Sequence, residues 1–193
     1  MCDPVLGDNG KIYTKPELVD IYREKVLPLA DIVTPNQFEL ELLTELKIET
    51  DDDITKAISI LHSKGPQTVV VTSISHETGG GEIQVIASTT KEQEEGCHSH
   101  FKVRVPRLDS DFTGSGDLTA ALLLAWCHVY PGRLQDAVLR SISTVYDILK
   151  DTAEKKLASN TKSAIKTPEL RLIQNQDAIK NPTDQFSIEP IPH

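Results

Sequence analysis

The sequence predicts an α/β protein built on a doubly wound, mostly parallel sheet. Helical and strand-forming segments alternate along its first part, which is the order expected for such a sheet. Residues 68–72 (Thr-Val-Val-Val-Thr) are an uninterrupted β-branched run, as expected for a strand that is buried on both faces. Residues 82–88 and 99–106 follow as two strands without a helix between them, so we expect an antiparallel edge on the sheet.

The other elements follow from apolar residues at helical spacing and from the residues that interrupt it. We expect helices at residues 16–30, 36–46, 53–64, 118–126, 134–157, 168–173 and 176–180. A short strand is predicted at residues 31–34, before Pro35, and residues 1–8 are typical of a strand end followed by a turn. We expect one domain over residues 1–180 and a mobile or loosely docked tail over residues 181–193.

The composition limits the classes of function. With 193 residues, 38% of them apolar and 25% charged, the chain resembles other folded globular proteins. Its formal net charge of −9 argues against a general nucleic-acid or membrane-surface binder. Its three cysteines have no ligand spacing, so neither a disulfide framework nor a zinc site is expected. The sequence has neither an apolar run of membrane-spanning length nor a signal peptide, and a cytosolic protein is expected.

A glycine loop, Thr-Gly-Ser-Gly-Asp at residues 113–117, stands directly before the apolar helix predicted at 118–126. Glycines let the backbone approach a ligand closely, and the N–H groups at a helix start attract phosphate oxygens. An acid at that point, here Asp117, can act as a base toward a hydroxyl, so the loop favours phosphoryl transfer. A purely structural role stays open, because Asp is common at helix starts and the loop lacks the Lys-Ser/Thr ending of a Walker loop.

Acids and hydroxyls also follow the predicted strands, at the edge where open α/β sheets bind ligands. These segments are Asp-Pro-Val-Leu-Gly-Asp at 3–8, Thr-Pro-Asn-Gln-Phe-Glu at 34–39, Thr72-Ser73 and Leu108-Asp109-Ser110. Carboxylates at successive strand ends, combined with a glycine loop, suit a nucleotide bound with Mg²⁺. For Glu39 a structural alternative is a capping box with Asn36, three residues before it.

In order and spacing, these segments resemble the pyridoxal kinases of the ribokinase-like superfamily, from residue 1 to about Ile179. Thr-Pro-Asn-x-x-Glu at 34–39 and Gly-x-Gly-Asp at 114–117 are typical of the superfamily. Asp-Pro-Val-Leu-Gly-Asp at 3–8 and Leu-Leu-Ala-Trp at 123–126 favour the pyridoxal kinases. The resemblance implies the transfer of the γ-phosphate of MgATP to the 5′-hydroxyl of pyridoxal, pyridoxine or pyridoxamine.

The resemblance also implies roles for individual residues. Asp117 matches the catalytic base, and Gly114, Ser115 and Gly116 match the anion hole, although the family usually has Thr or Val at the position of Ser115. The acids matching those that hold Mg²⁺, directly or through water, are Asp8 and Glu39. The positions around an activating K⁺ or Na⁺ are Asp3, Thr34 and Thr72. The residues placed around the nucleotide and its ions are Asp3, Asn36, Glu39, Thr72, Ser73, Leu108, Asp109, Ser110 and Ser115.

The family has a substantial region before the segment that matches residues 3–8, and this chain lacks it. By the resemblance, that region supplies the first strands of the sheet, most contacts to the vitamin ring and much of a homodimer interface. We therefore expect an ATP-binding half with low activity by itself. Three interpretations stay open: part of a pyridoxal kinase, a short form that binds nucleotide without catalysis, and another ribokinase-like enzyme such as a hydroxymethylpyrimidine or nucleoside kinase.

Overall fold

The β-branched run after Pro66 forms a central strand of a five-stranded mixed sheet. The computed structural model describes residues 1–74, 81–158 and 169–192. Numbered along the chain, its strands are β1 Gly7–Asp8, β2 Lys11–Ile12, β3 Ile32–Val33, β4 Thr68–Ile74, β5 Glu82–Thr89, β6 His100–Pro106 and β7 Ile188–Pro190. The main sheet has the order β3-β4-β5-β6-β7, and β1 and β2 form a separate hairpin.

The predicted antiparallel edge is present and is larger than expected. Within the described residues, β3 and β4 form one parallel ladder, and the three ladders from β4 to β7 are antiparallel. A parallel bridge between Cys2 and Val33 extends the parallel side of the sheet. The antiparallel pairing of β4 with β5 and of β5 with β6 follows from the chain connections, because both are too short to contain a crossover helix.

Most of the predicted helices are confirmed. They are α1 Glu17–Ile21, continued by a π-helical turn (Tyr22–Val26) and a 3-10 turn (Leu27–Leu29), then α2 Gln37–Thr44, α3 Asp51–Lys64, α4 Ser115–Val129, α5 Leu134–Ala158 and α6 Gln176–Lys180. The helix predicted at 168–173 is wrong for residues 169–173, which are irregular up to Arg171 and then enter a turn; Pro168 lies outside the described residues. In the described part of the chain, no helix is long and apolar enough to cross a membrane.

The sheet is covered on both faces, as a doubly wound sheet requires. Successive side chains of β4 point to opposite faces. Val69 and Val71 pack into a core with residues of α2 and α3, such as Leu40 and Leu61. Val70 packs into a second core, which includes Leu123 of α4 and Val138 of α5. The uninterrupted valine run is therefore explained by burial on both faces.

The expectation of a loosely docked tail is wrong for residues 188–190. They form β7, in which Ile188 pairs with Val103 and Pro190 with Phe101. Arg104 Nε and Nη2 donate to the two carboxylate oxygens of Glu189 at 2.7 and 3.2 Å. The prolines suggested an unstructured end, but a proline is tolerated on an edge strand, where its missing N–H interrupts no inner ladder.

Candidate active site

A cleft of about 660 Å³ opens where the carboxyl ends of β3 and β4 face the start of α4. The predicted site residues in its wall are Asp3, Asp8, Thr34, Asn36, Glu39, Thr72, Ser73, Leu108, Ser110, Gly114, Ser115, Gly116 and Asp117. Asp109 is exposed and lies outside this wall. The fold therefore brings segments from residue 3 to residue 117 to one place, in agreement with the expected position of a ligand site.

Backbone pairing brings Asp3 and Thr34 together. Cys2 N–H donates to the carbonyl of Ile32 at 2.7 Å, and Thr34 N–H donates to the carbonyl of Cys2 at 3.1 Å. The two chain segments therefore leave this pairing side by side, and the Thr34 hydroxyl donates to Asp3 Oδ1 at 3.4 Å. A β-carbon placed on Gly116 would lie 3.7 Å from Asp3 Oδ2, so the glycine loop approaches the same carboxylate.

The start of α2 is closed by its own side chains. Asn36 Oδ1 accepts from Glu39 N–H at 2.8 Å, and Glu39 Oε2 accepts from Asn36 N–H at 3.0 Å, which together make the capping box. Glu39 Oε1 also accepts from the N–H groups of Leu6, at 2.8 Å, and Gly7, at 3.4 Å. Glu39 is only 4% exposed. The structural alternative for Glu39 is confirmed, while its Mg²⁺ role stays a prediction.

Two carboxyl groups of the cleft have raised pKa values. Burial raises the pKa of Glu39, while the N–H donors of Asn36, Leu6 and Gly7 oppose that shift. Burial also raises the pKa of Asp3, and the nearby charge of Asp117 raises it further, against the hydrogen bond from Thr34. Negative charge is thus crowded on this side of the cleft, and a bound cation would relieve it.

The start of α4 has the opposite character. Gly114, the residue directly before the helix, has φ of 85° and no side chain with which to cap it. Leu118 N–H donates to the carbonyl of Gly114 at 3.0 Å, so the N–H groups of residues 115–117 precede the helical bonding pattern. The Thr119 hydroxyl donates to the carbonyl of Ser115 at 2.7 Å and steadies this first turn. Such a helix start is suited to bind an anion.

Asp8 lies in the β1–β2 hairpin and in the wall of the cleft. Its two carboxylate oxygens accept from the backbone N–H of Asn9 at 2.8 Å and from Asn9 Nδ2 at 3.0 Å. Over residues 1–74, 81–158 and 169–192, no three His, Cys, Asp or Glu side chains are grouped closely enough to hold a metal ion by themselves. A divalent ion here would need additional oxygens from a ligand or from water.

The sequence analysis did not identify an apolar wall on the α5 side of the cleft. This wall includes Phe112 and, from α5, Val145, Tyr146 and Leu149. The spacing of Val145 and Leu149 marks a buried helix face, but helical spacing does not distinguish a core face from a ligand-facing one. The cleft therefore combines an apolar side, suited to a flat ring, with a polar side rich in backbone donors and carboxylates.

Comparison with known proteins agrees with this site. The family described as phosphomethylpyrimidine kinase matches residues 1–162. Among curated relatives, a pyridoxal kinase of Arabidopsis thaliana is 43% identical over 190 residues, covering 98% of this chain and 60% of the relative. The pyridoxal kinase of Homo sapiens is 38% identical over 193 residues, covering 94% of this chain and 62% of the relative.

Solved structures give the same result. The pyridoxal kinase from Leishmania donovani in complex with ADP is 30% identical, with a TM-score of 0.85 over 99% of this chain and 62% of that one. The pyridoxal kinase from Entamoeba histolytica is 35% identical, with a TM-score of 0.79 over 98% of this chain and 61% of that one. The chain thus spans about three fifths of the length of the relatives it matches. It belongs to the phosphomethylpyrimidine kinase family, has the ribokinase-like fold and is similar to the pyridoxal kinases.

Proposed function

We propose that this chain provides the nucleotide site and the catalytic base of a pyridoxal kinase, which transfers the γ-phosphate of ATP to the 5′-hydroxyl of pyridoxal, pyridoxine or pyridoxamine. The main support is the meeting of the uncapped start of α4, including Asp117, with the carboxylates of Asp3 and Asp8 in one cleft. The pyridoxal kinase from Leishmania donovani, in complex with ADP and pyridoxamine, has a TM-score of 0.84 to this chain at 30% identity.

In the proposed step, Asp117 accepts the proton of the 5′-hydroxyl as its oxygen forms a bond to the γ-phosphorus. The bond from that phosphorus to the oxygen it shares with the β-phosphate breaks, and ADP leaves. Charge develops on the oxygens of the transferring group, and the backbone N–H groups of residues 114–116 donate to them. The apolar wall from α5 would receive the adenine ring.

Asp8 and Glu39 would hold Mg²⁺ in this proposal. The ion would neutralise charge on the ATP phosphates. Asp8 fits direct binding, because the described hydrogen bonds to its carboxylate come only from the neighbouring Asn9 and Asp8 lines the cleft. Glu39 fits binding through water, since three backbone N–H groups already donate to its carboxylate.

Asp3, Thr34 and Thr72 would surround K⁺ or Na⁺. The support is electrostatic: burial and the charge of Asp117 raise the pKa of Asp3, and a monovalent cation beside Asp3 would favour its ionised form. Thr34 and Thr72 add oxygen atoms on the same wall of the cleft. Thr34 donates to Asp3, and Thr72 N–H donates to the carbonyl of Pro35, the residue after Thr34, at 3.0 Å.

The test measures MgADP binding by calorimetry and pyridoxal phosphorylation with MgATP and K⁺. We expect the 193-residue chain to bind MgADP and to turn over far more slowly than a full-length relative.

In a full-length version, Asp117→Asn is expected to lower kcat by about 10²- to 10⁴-fold and to leave nucleotide binding nearly unchanged. Asp111→Asn, at an exposed position six residues before Asp117, is the matched control. Unchanged catalysis in Asp117→Asn would disprove the assignment of the base.

A second substrate class is favoured by one observation, namely the description of the matching family as phosphomethylpyrimidine kinase. The same phosphate chemistry would then act on the hydroxymethyl group of a pyrimidine. Parallel assays with pyridoxal and with hydroxymethylpyrimidine, at equal MgATP, distinguish the two substrates. MgADP binding without turnover of either substrate, also in a full-length version, would instead support a nucleotide-binding protein without catalysis.

A further inference from the structure

We infer that residues 170–175 form a strap that positions the glycine loop of α4, with Leu170 as the positioning residue. This inference rests on the proposed nucleotide site and adds a residue to it that does not line the cleft. Leu170 lies beside Gly114, which lines the cleft, and is not itself one of the lining residues. Its effect on a ligand is therefore indirect and passes through Gly114.

One side chain of the strap lies beside Gly114. A β-carbon placed on Gly114 would lie 3.9 Å from Leu170 Cδ1, and no other side chain of the strap comes within 4 Å of that position. Leu170 is half-buried, whereas Leu172 and Ile173 are 39% and 78% exposed. Gly114 has φ of 85°, a conformation that glycine enters and leaves easily, so a packed neighbour limits the motion of this residue.

Hydrogen bonds to α5 fix the strap on the other side of Leu170. Arg171 Nε donates to Asp151 Oδ2 at 2.7 Å, and Arg171 N–H donates to the Thr152 hydroxyl at 3.2 Å. Asn175 Nδ2 donates to Asp151 Oδ2 at 2.9 Å and to the carbonyl of Arg171 at 2.8 Å. Three of these bonds join the strap to Asp151 and Thr152 of α5, and the fourth closes the strap on itself. Together they hold this non-helical segment in a defined place.

The same helix carries the anchor of the strap and the apolar wall of the cleft. Asp151 and Thr152 follow Val145 and Leu149, which line the cleft. Through the strap, the glycine loop is therefore held in a fixed position relative to α5, the helix that would receive the flat ring of the nucleotide. A loop displaced from that helix would separate the phosphate donors from the ring site.

The experiment compares Leu170→Ala with Leu172→Ala in the 193-residue chain. We expect Leu170→Ala to weaken MgADP binding about tenfold by calorimetry. It should also speed amide hydrogen exchange in a peptide covering residues 112–118, with or without the nucleotide. Leu172→Ala removes the same atoms from an exposed position of the same strap and should change neither value. Leu170→Met should restore both, because it refills the contact.

A second variant tests the anchor. Arg171→Ala should act in the same direction as Leu170→Ala, since it releases the strap from Asp151. If Leu170→Ala is largely unfolded in a thermal melt, Leu170→Val and Arg171→Ala provide the same comparison. Unchanged exchange over residues 112–118 in folded Leu170→Ala would overturn the inference. Absence of MgADP binding by the wild-type chain would instead refute the proposed function, while the exchange of the free chain still tests the strap.

Discussion

The helices α2 and α4 both begin at the cleft, and they begin in opposite ways. At α2, the capping box of Asn36 and Glu39 satisfies backbone donors of the helix, and Glu39 also accepts from Leu6 and Gly7. At α4, a glycine occupies the capping position and offers no side-chain acceptor, and residues 115–117 line the cleft. Both starts have an acidic side chain at the third helical position, Glu39 and Asp117.

The difference shows that an acidic residue near a helix start can have either a structural or a chemical role. Glu39 is buried and is bound by three backbone donors, so it stabilises the fold at the edge of the site. Asp117 is exposed to the cleft and follows a residue that cannot cap the helix. The first arrangement favours structure, and the second leaves donors and a carboxylate for chemistry.

The largest effect on stability is expected from breaking the capping box at the start of α2. Glu39→Ala leaves three backbone N–H groups without their acceptor, at about 1–3 kcal/mol for each one that stays buried. We expect the free energy of unfolding to fall by about 4 kcal/mol in urea denaturation. Glu17→Ala, in the exposed first turn of α1, is the control and should change it by less than about 0.5 kcal/mol. A loss below about 1 kcal/mol for Glu39→Ala would show that its bonds do not hold the site together.

The second effect concerns the start of α4, which has no side-chain cap. Gly114→Ala forces a β-carbon into a left-handed conformation, which costs about 1–2 kcal/mol of stability. It should also weaken MgADP binding at least tenfold, because relief of this strain moves the donors of α4. Gly96→Ala imposes similar strain, at φ of 81°, and a β-carbon there has open space around it. The two variants should therefore lose similar stability, and MgADP affinity measured by calorimetry should fall only in Gly114→Ala.

The third effect sharpens the comparison with a capping box outside the cleft. Thr50 and Asp53 cap α3 by the same reciprocal pattern as Asn36 and Glu39. Thr50→Ala is expected to lower the free energy of unfolding by about 1 kcal/mol. It should leave MgADP affinity unchanged, whereas Asn36→Ala should lower both. Equal affinities in Thr50→Ala and Asn36→Ala would contradict a role of the α2 start in the nucleotide site.

The smallest effect is a pH dependence. Burial and the charge of Asp117 raise the pKa of Asp3 in the folded chain, so stability is lost as the pH rises from the unfolded pKa of about 3.9 through the folded pKa. Asp3→Asn removes this loss and keeps an acceptor for Thr34. We expect it to raise Tm by about 2 °C at pH 7, with a difference that vanishes near pH 3.5. Asp111→Asn, at an exposed position, should show no such trend, and a lower Tm for Asp3→Asn at pH 7 would contradict the assignment.

The sequence predicted those features that depend on near neighbours. The capping box is visible because Asn36 and Glu39 are three residues apart, and the α4 start is visible because glycine, acid and apolar helix are consecutive. The bonds from Leu6 and Gly7 to Glu39 join residues more than 30 positions apart and leave no local pattern. The strand β7 was missed because its partner β6 lies more than 80 residues earlier in the chain. The strap was missed because its order comes from the side chains of Asp151 and Thr152.

The bonding of Glu39 has a consequence for the order of events during folding. Its bond to Asn36 closes a loop of three residues, whereas its bond to Leu6 closes one of 33 residues. Local contacts form early and distant ones late, because loop closure costs more entropy as the loop lengthens. The bond between Leu6 and Glu39, which ties residues 3–8 to the start of α2, is therefore expected to be absent from the folding transition state. A nucleotide that needs residues 3–8 held against α2 would slow unfolding and leave the refolding rate nearly unchanged.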